Sequence, residues 1–298
     1  MKKSFITIII AGLLWGTSGL FVHYLAPYGF TTGQMTAVRG LVAVLVMVSY
    51  TVITERSAFR ARPLDFLVYI GCGLMLYSTA VLYYNSIQLT SVATAAILMY
   101  TAPIFVTVYS VSLLGEKMTG LKLASIVMML VGCALVSGVV GGFKADLVGI
   151  LFGLGSGVCY AAYNIISKIG MKRGCSAKST SVYGFIFMAL AALPASDPVG
   201  IVERATEPLA WVLLLSLGAV TFVVPYFLYN TALKRLDAGT ASTLGVIEPM
   251  SATVYAMIFL GQIPDVFAAF GIVLILAAVV LLGRSETGAS ADTDDAAQ

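Results

Sequence analysis

Charged residues are scarce in this sequence, and histidine is almost absent. Only 10% of the 298 residues are charged and 59% are apolar, whereas roughly a quarter of the residues are charged in a soluble globular domain. The net charge of +3 is small, and there is no clustered basic face of the kind that binds nucleic acid. The composition predicts an all-α membrane protein surrounded by the lipid bilayer.

Motifs for metal binding and for most catalytic chemistry are also missing. The four cysteines form no CxxC pair and His23 is the single histidine, so the sequence predicts no metal site, no cofactor and no disulfide framework. Gly16-Thr17-Ser18-Gly19 fits the short GxSG pattern of intramembrane serine proteases. However, His23 would lie about 140° around the helix from Ser18 and could not act as its base. We therefore expect a protein that is not an enzyme.

Apolar stretches long enough to cross the bilayer recur along the chain. A helix needs roughly 20 residues to cross about 30 Å of hydrocarbon. On that basis the sequence predicts ten membrane-spanning helices: 4–26, 31–54, 64–88, 91–114, 121–140, 147–168, 179–195, 209–233, 239–260 and 264–283. The last residues, 285–298, are polar and acidic, and we expect a disordered cytoplasmic tail there.

The distribution of Lys and Arg predicts the orientation of these helices. Ten spans place both termini on one side of the membrane. With the termini in the cytoplasm, 14 of the 17 Lys and Arg residues fall in inner segments, Lys144 and Arg204 fall in outer loops, and Arg39 falls within a span. Because cytoplasmic loops carry an excess of Lys and Arg, we expect cytoplasmic N- and C-termini.

The sequence also contains one module twice. The matched residues are separated by 145 or 146 positions: Tyr84 and Tyr229, Asn85 and Asn230, Pro103 and Pro249, Tyr109 and Tyr255, and Gly115 and Gly261. An offset near half of the chain length indicates an internal duplication. Each copy holds five spans, an odd number, so the copies would be inverted relative to each other in the membrane. The prediction is two inverted five-helix repeats, residues 1–145 and 146–284.

Small residues and prolines recur at matched positions of the two halves. The small residues are Gly12 and Gly16 in the first half and Gly157 and Ala161 in the second. Such small-xxx-small spacing lets helix backbones approach closely, so we expect packing seams there. Pro103 and Pro249 each remove a backbone donor within a span. They are interpreted as paired bends that line one central space, with a purely structural kink as the alternative.

Two firmly charged side chains, Arg39 and Glu248, lie deep within predicted spans. A charge in the bilayer costs about 2.5–3.5 kcal/mol on insertion scales, so both should face the interior of the helix bundle. At about 1.5 Å per residue their levels differ by roughly 5 Å, which allows an ion pair. One interpretation is a buried bridge that only orients helices. In the other, Glu248 titrates during transport or Arg39 binds a substrate carboxylate.

Several aromatic and amide side chains lie too deep for the belts at the membrane surface. Their hydroxyl and amide groups suit a small solute that forms hydrogen bonds, although helix–helix contacts would satisfy any one of them equally well. Together with the two charges, the candidate substrate-binding residues are Trp15, Arg39, Tyr77, Tyr84, Asn85, Tyr100, Tyr160, Asn164, Tyr229, Asn230 and Glu248.

Several of these residues resemble a known family when taken in order along the chain. They are Trp15-Gly16 in span 1, Arg39 in span 2, Pro103 to Gly115-Glu116 in span 4, and Glu248-Pro249 to Gly261 in span 9. In residues 4–283 the chain resembles the EamA-type families of the drug/metabolite transporter superfamily, although Gln262 stands where the first half has Glu116. The resemblance implies a ten-helix secondary transporter whose central cavity is lined by spans 1, 3, 4, 6, 8 and 9.

The resemblance also implies a function, because family members export amino acids and other small metabolites. We therefore expect a transporter of the bacterial inner membrane that exports small, zwitterionic metabolites, foremost amino acids. It would work by alternating access at a central cavity midway through the membrane, with protons as the candidate coupling ion. A facilitative channel or a lipid-handling protein on the same scaffold is the alternative.

Overall fold

A computed structural model describes residues 2–113, 118–136, 146–225, 228 and 247–295 of the chain. Regular secondary structure in these residues is helical, and strands are not found among them. The α-helices are α1 (Lys2–Gly16), α2 (Ser18–Leu25), α3 (Thr32–Thr54), α4 (Asp65–Leu89), α5 (Val92–Met99), α6 (Ala102–Leu113), α7 (Gly120–Val136), α8 (Leu147–Lys172), α9 (Ala177–Ala192), α10 (Pro198–Arg204), α11 (Pro208–Gly218), α12 (Ile247–Leu260) and α13 (Val266–Asp295).

Several of these helices are long and apolar enough to cross a membrane. Five qualify by length and composition: Ile9–Tyr28, Thr32–Thr54, Asp65–Leu89, Val92–Tyr109 and Leu147–Lys172. A sixth is the pair Lys178–Ala195 and Pro198–Arg204, which is bent by 78°. Four further helices are apolar but too short to meet the same length criterion: Gly120–Leu135, Pro208–Val223, Ile247–Leu260 and Val266–Leu281. The expectation of an all-α membrane protein with many apolar helices is therefore met.

Polar side chains fix where several helices begin. Thr31 forms a capping box with Gln34 at the start of α3, and Asp146 accepts a hydrogen bond from the Gly149 amide at the start of α8. Ser176 caps α9 in the same way. Each cap satisfies backbone donors that the first turn of a helix leaves unpaired. These caps explain why the observed bounds of α3 and α8 begin within one residue of the predicted spans.

Two predicted spans are each divided into two helices. The span predicted at 4–26 is interrupted at Thr17, whose hydroxyl donates to the Leu14 carbonyl at 2.6 Å. The span predicted at 91–114 is interrupted at Tyr100 and Thr101, between α5 and α6. Pro103 has no amide proton, so the helical bond to the carbonyl four residues earlier is lost. Pro103 therefore coincides with a break between two helices, within a segment, Val92–Tyr109, that still qualifies as one span.

The second half contains features that the sequence did not predict. A π-helical turn, Ala219–Val223, continues α11, and the short α10 lies between the predicted spans 179–195 and 209–233. The segment 285–298, expected to be disordered, is helical through Asp295 as the end of α13. The segment has no proline, and extending an established helix is much easier than nucleating a new one.

Glycines set the closest helix contacts. A Cβ atom on Gly12 would lie 2.9 Å from Ile247, and one on Gly16 would lie 2.9 Å from the Ala252 amide nitrogen, so α1 packs tightly on α12. A Cβ atom on Gly157 would lie 3.0 Å from the Thr101 hydroxyl, so α8 packs tightly where α5 meets α6. The predicted packing seams at Gly12, Gly16 and Gly157 are confirmed.

The most extensive apolar cluster of the described residues lies where α2, α3, α4, α5, α11 and α12 converge. It includes Tyr84 and Leu217, which are fully buried, and Tyr83, which is 6% exposed. Tyr100 packs against the same cluster. Two tyrosine hydroxyls on this cluster reach the charged residues of the bundle, and they define the candidate site.

Candidate functional site

Arg39 projects from α3 into a cage of aromatic rings. Its Nη1 donates to the Tyr84 hydroxyl at 2.6 Å. The guanidinium carbon lies 4.2 Å from the centre of the Phe222 ring and 5.8 Å from that of Tyr84, so both rings offer a cation–π contact. The buried Nε has no hydrogen-bond partner among the described residues. A buried donor without a partner is costly, and here it remains available to a bound acceptor.

Phe222 is a functional candidate that sequence reasoning missed. It lies in the π-helical turn Ala219–Val223, and its ring also contacts Phe185, with ring centres 4.8 Å apart. Single π-turns inside helices occur often at functional sites, because the extra residue re-aims the neighbouring side chains. In the sequence, Phe222 is one apolar residue in an apolar run, and the turn that brings it to Arg39 leaves no signal there.

Glu248 lies in the first described turn of α12. Its Oε2 accepts a hydrogen bond from the Tyr100 hydroxyl at 2.8 Å. Tyr100 belongs to the break between α5 and α6, so this interruption brings an aromatic hydroxyl to the carboxylate. The Ser251 hydroxyl donates to the Glu248 carbonyl at 2.9 Å and to the Gly12 carbonyl at 3.2 Å. The glycine seam between α1 and α12 thus fixes the position of Glu248.

Arg39 and Glu248 are not direct partners. Ion pairs within the described ranges join Arg62 with Asp65, Lys178 with Glu55, and Arg204 with Asp197, whereas Arg39 and Glu248 each take a tyrosine hydroxyl. Their charges still interact through space. The direct ion pair that their depths allowed is therefore not formed. The structure thus does not contain the direct Arg39–Glu248 bridge that was the alternative interpretation, one that only orients helices.

Tyr83 and Tyr84 connect the two charged positions. Their ring centres are 6.0 Å apart, and both side chains are buried. Tyr83 lies within electrostatic reach of both Arg39 and Glu248. The sequence analysis included Tyr84 but missed Tyr83, although the two adjacent tyrosines in a predicted span were a usable signal.

The remaining predicted site residues have varied surroundings. Asn85 donates to the Thr32 hydroxyl at 3.1 Å and to the Val81 carbonyl at 2.8 Å, so its amide joins α4 to the start of α3. Tyr160 is 37% exposed and stacks on Tyr163, with the ring centres 6.4 Å apart. Asn164, which is exposed, donates to the Tyr160 carbonyl.

Four other predicted residues add less to the geometry. Trp15 and Tyr77 are half-buried in α1 and α4. Tyr229 and Asn230 lie outside the described residues. The structure therefore brings together Arg39, Tyr84, Tyr100 and Glu248 from the predicted set, and it adds Tyr83 and Phe222 to them.

Half-buried charges of opposite sign within a bundle of apolar helices are functional-site candidates in a membrane protein. A sequence model of the EamA-like transporter family matches residues 2–138 and 147–284. The chain belongs to this family, which is part of the drug/metabolite transporter superfamily, and it is a multi-pass membrane protein. The resemblance seen in the sequence is confirmed.

Individual relatives agree with the family assignment. An uncharacterized transporter of Clostridium kluyveri is 28% identical over 93% of this chain and 91% of its own length. The threonine/homoserine exporter RhtA of Salmonella typhimurium is 27% identical over 76% of this chain and 74% of its own. A solved crystal structure superposes with a TM-score of 0.62 at 20% identity, covering 94% of this chain and 96% of that one. At that identity the likeness concerns the fold alone.

Proposed function

We propose that the protein is a secondary transporter that exports small metabolites, foremost amino acids, across the bacterial inner membrane by alternating access. One observation carries the proposal: two opposite charges, Arg39 and Glu248, are each held by a tyrosine hydroxyl inside an apolar bundle, without neutralising each other directly. Because the two charges do not neutralise each other directly, both are available to a solute that carries a positive and a negative group. We assign no catalytic role to any residue.

The scaffold of the proposal is ten spans in two inverted repeats, residues 1–145 and 146–284, with both termini cytoplasmic. Ten apolar helical segments, counting the bent pair as one, support the span number. The family model matches the chain twice, at 2–138 and 147–284, which supports the duplication. Helices predicted to be repeat partners also pack on each other, α3 on α9, α5 on α12 and α7 on α13, as expected around a pseudo-twofold axis.

Arg39 is the proposed anchor for a solute carboxylate. The Tyr84 hydroxyl and the Phe222 ring hold the guanidinium in one orientation, while its Nε donates to none of the residues that the structure describes. A guanidinium offers paired donors whose geometry matches a carboxylate. Because the side chain is already oriented, binding would cost little additional side-chain entropy.

Glu248 is the proposed partner for the ammonium group of the solute, or for a proton that replaces it. Among the described residues its side chain accepts a bond from Tyr100, and an ionised carboxylate accepts about four hydrogen bonds, so acceptor capacity remains. Exchange of a proton for the ammonium group would couple export to proton entry. That the relative RhtA is named a threonine/homoserine exporter supports a zwitterionic solute.

The other predicted residues remain candidates for the cavity wall. They are Trp15, Tyr77, Asn85, Tyr160, Asn164, Tyr229 and Asn230. In this account they contribute hydrogen bonds and apolar contact to the solute side chain, while Arg39 and Glu248 select its charged ends.

Reconstitution into liposomes tests the proposal. Purified protein should give saturable flux of labelled amino acids, and unlabelled solute on the opposite side should stimulate that flux, because a carrier returns faster when loaded. Flux without saturation or stimulation would instead indicate a channel. No protein-dependent flux across a broad panel of amino acids would contradict the proposal.

A further inference from the structure

Two links on one face of the bundle are joined by polar contacts. Residues 55–62 follow α3, and residues 173–183 comprise the link after α8 and the first turns of α9. Lys178 Nζ forms an ion pair with Glu55 Oε2 at 2.8 Å and lies 5.4 Å from the Tyr50 ring centre. The two segments belong to different halves of the chain, and the positive-inside pattern places both on the predicted cytoplasmic face.

Hydrogen bonds to backbone carbonyls complete this junction. The Ser179 hydroxyl donates to the Ala58 carbonyl at 2.7 Å, and the Tyr183 hydroxyl donates to the Phe59 carbonyl at 2.9 Å. Arg62 Nη2 donates to the Arg173 carbonyl at 2.7 Å. Each bond connects a side chain of one half to the main chain of the other, so separating the halves here breaks no helical hydrogen bond.

The junction is ordered but incompletely packed. A cavity of about 190 Å³ lies against it, lined by Glu55, Ser57, Ala58, Arg60, Asp65, Tyr69, Gly174, Cys175, Ser176 and Ser179. Cys175 is only 6% exposed. Burial raises the pKa of its thiol, with Asp65, Tyr69 and Arg62 as the facing polar groups. At neutral pH this thiol is therefore a slow nucleophile while the junction is closed.

The energetics of the junction suit a contact that opens and closes. A surface ion pair contributes little to stability, and each neutral hydrogen bond contributes only modestly. These polar contacts are therefore weak enough for a bound solute to shift between two states. Tyr183 of the second segment also stacks on Tyr69 of α4, with the ring centres 4.8 Å apart.

We propose that residues 55–62 and 173–183 form the inner latch, the closed gate on the cytoplasmic side of the solute pathway. The latch rests on the proposed transport function, because a gate needs a solute pathway to close. Opening it would separate Lys178 from Glu55 and the turn at Ala58 and Phe59 from α9. The same movement would uncover Cys175 to the cytoplasm.

The native thiol makes the latch measurable without any substrate. In inside-out membrane vesicles, a membrane-impermeant maleimide should alkylate Cys175 slowly in the wild type. Glu55→Lys should speed the reaction about fivefold, the effect of losing roughly 1 kcal/mol. The swapped variant Glu55→Lys with Lys178→Glu should restore the slow rate. Labelling that is unchanged in Glu55→Lys, or not restored by the swap, would overturn the latch.

Matched variants separate opening from unfolding. Cys175→Ser gives the background from Cys72, Cys133 and Cys159, and Cys72 is fully buried, so this background should stay flat when Glu55→Lys is added. Glu203→Lys, an exposed charge reversal in α10, should leave Cys175 labelling at the wild-type rate. Cys133 packs against a separate apolar cluster, so a rise in its labelling would show loss of the fold and would contradict the interpretation of Cys175 labelling as opening.

A crosslink tests whether the contact is a gate or only a brace. In the Cys175→Ser background, Glu55→Cys with Lys178→Cys is joined by a short, reducible bifunctional reagent in proteoliposomes. Amino-acid flux should stop and return on reduction, whereas undiminished flux through the crosslinked protein would overturn the latch as a gate. The two failures are distinguishable: absent flux in the wild type contradicts the proposed function, and unchanged Cys175 labelling contradicts the latch.

Discussion

The two charged positions of the bundle are built in different ways. Arg39 lies within the continuous helix α3, with the Phe222 ring 4.2 Å from its guanidinium and the Tyr84 hydroxyl at 2.6 Å. Glu248 lies beside a broken helix and a glycine seam, and its partner is the hydroxyl of Tyr100 in that break. Arg39 is therefore surrounded by aromatic side chains on an uninterrupted helix, whereas Glu248 lies where a neighbouring helix is broken.

This difference indicates that Arg39 and Glu248 have separate roles in transport. A guanidinium stays charged at any relevant pH, so its position needs a constant environment and an anion to bind. A carboxylate can gain or lose a proton, and a position beside helix breaks allows its surroundings to change as it does. We therefore expect Arg39 to determine whether solute binds and Glu248 to determine how transport responds to pH. The following changes test that contrast, beginning with the largest expected effect.

Arg39→Ala should lower flux at subsaturating solute at least about a hundredfold, because truncating one partner of a buried charged contact costs roughly 2–5 kcal/mol. Arg39→Lys should recover only part of the activity, since an ammonium lacks the paired donors. Liposome flux measures both. Arg204→Gln, which removes an exposed ion pair, is the matched control and should stay within about twofold of the wild type. Equal losses in the two variants would remove Arg39 from the site.

Glu248→Gln should lower flux about thirtyfold, the effect of roughly 2 kcal/mol, while keeping the shape and the acceptor for Tyr100. Its distinctive result is a flattened pH profile of transport, because the glutamine amide cannot gain or lose a proton as a carboxylate does. Glu203→Gln should keep the wild-type profile. An unchanged pH profile in Glu248→Gln would exclude Glu248 as the proton carrier.

Tyr84→Phe and Tyr100→Phe should each lower flux about tenfold, since a hydrogen bond to a charged group contributes roughly 1.5 kcal/mol or more. The contrast predicts that Tyr84→Phe raises KM and that Tyr100→Phe changes the pH profile. Tyr24→Phe, at an exposed residue, is the control. The same changes in KM and in the pH profile for Tyr84→Phe and Tyr100→Phe would mean that Arg39 and Glu248 do not have separate roles.

Phe222→Leu should raise KM about fivefold, because a cation–π contact contributes roughly 1 kcal/mol. Phe222→Tyr keeps an aromatic face and should restore the wild-type KM. Both are measured as concentration dependence of flux in liposomes. If Leu and Tyr at this position behave alike, the ring does not orient Arg39.

Hydropathy and the positions of charge predicted much of the scaffold. The spans predicted at 31–54 and 64–88 correspond to α3, Thr32–Thr54, and α4, Asp65–Leu89. Burial is set by composition over a whole turn, so a run of apolar residues is a reliable guide to such helices. The recurring glycines and Pro103 likewise predicted where backbones would come close or break, since both effects arise from the residue itself.

Contacts that depend on backbone irregularity were not predictable in this way. The π-turn that aims Phe222 at Arg39 has no sequence marker of comparable strength. The 78° bend before α10 does coincide with Pro194 and Pro198, but the span prediction did not use them. The missing direct pair between Arg39 and Glu248 has a similar origin. Depth along a helix gives the level of a side chain but not its direction around the axis, and tyrosine hydroxyls proved to be the nearer partners.

The central claim is that Arg39 and Glu248 bind the two charged ends of one solute. Competition in the reconstituted flux assay tests it most directly, using a transported amino acid, the amine that lacks its carboxylate, and the acid that lacks its ammonium group. The wild type should prefer the amino acid over both. Arg39→Gln should lose the preference over the amine alone, and Glu248→Gln should lose the preference over the acid alone. Wild-type preferences retained in both variants would contradict the account.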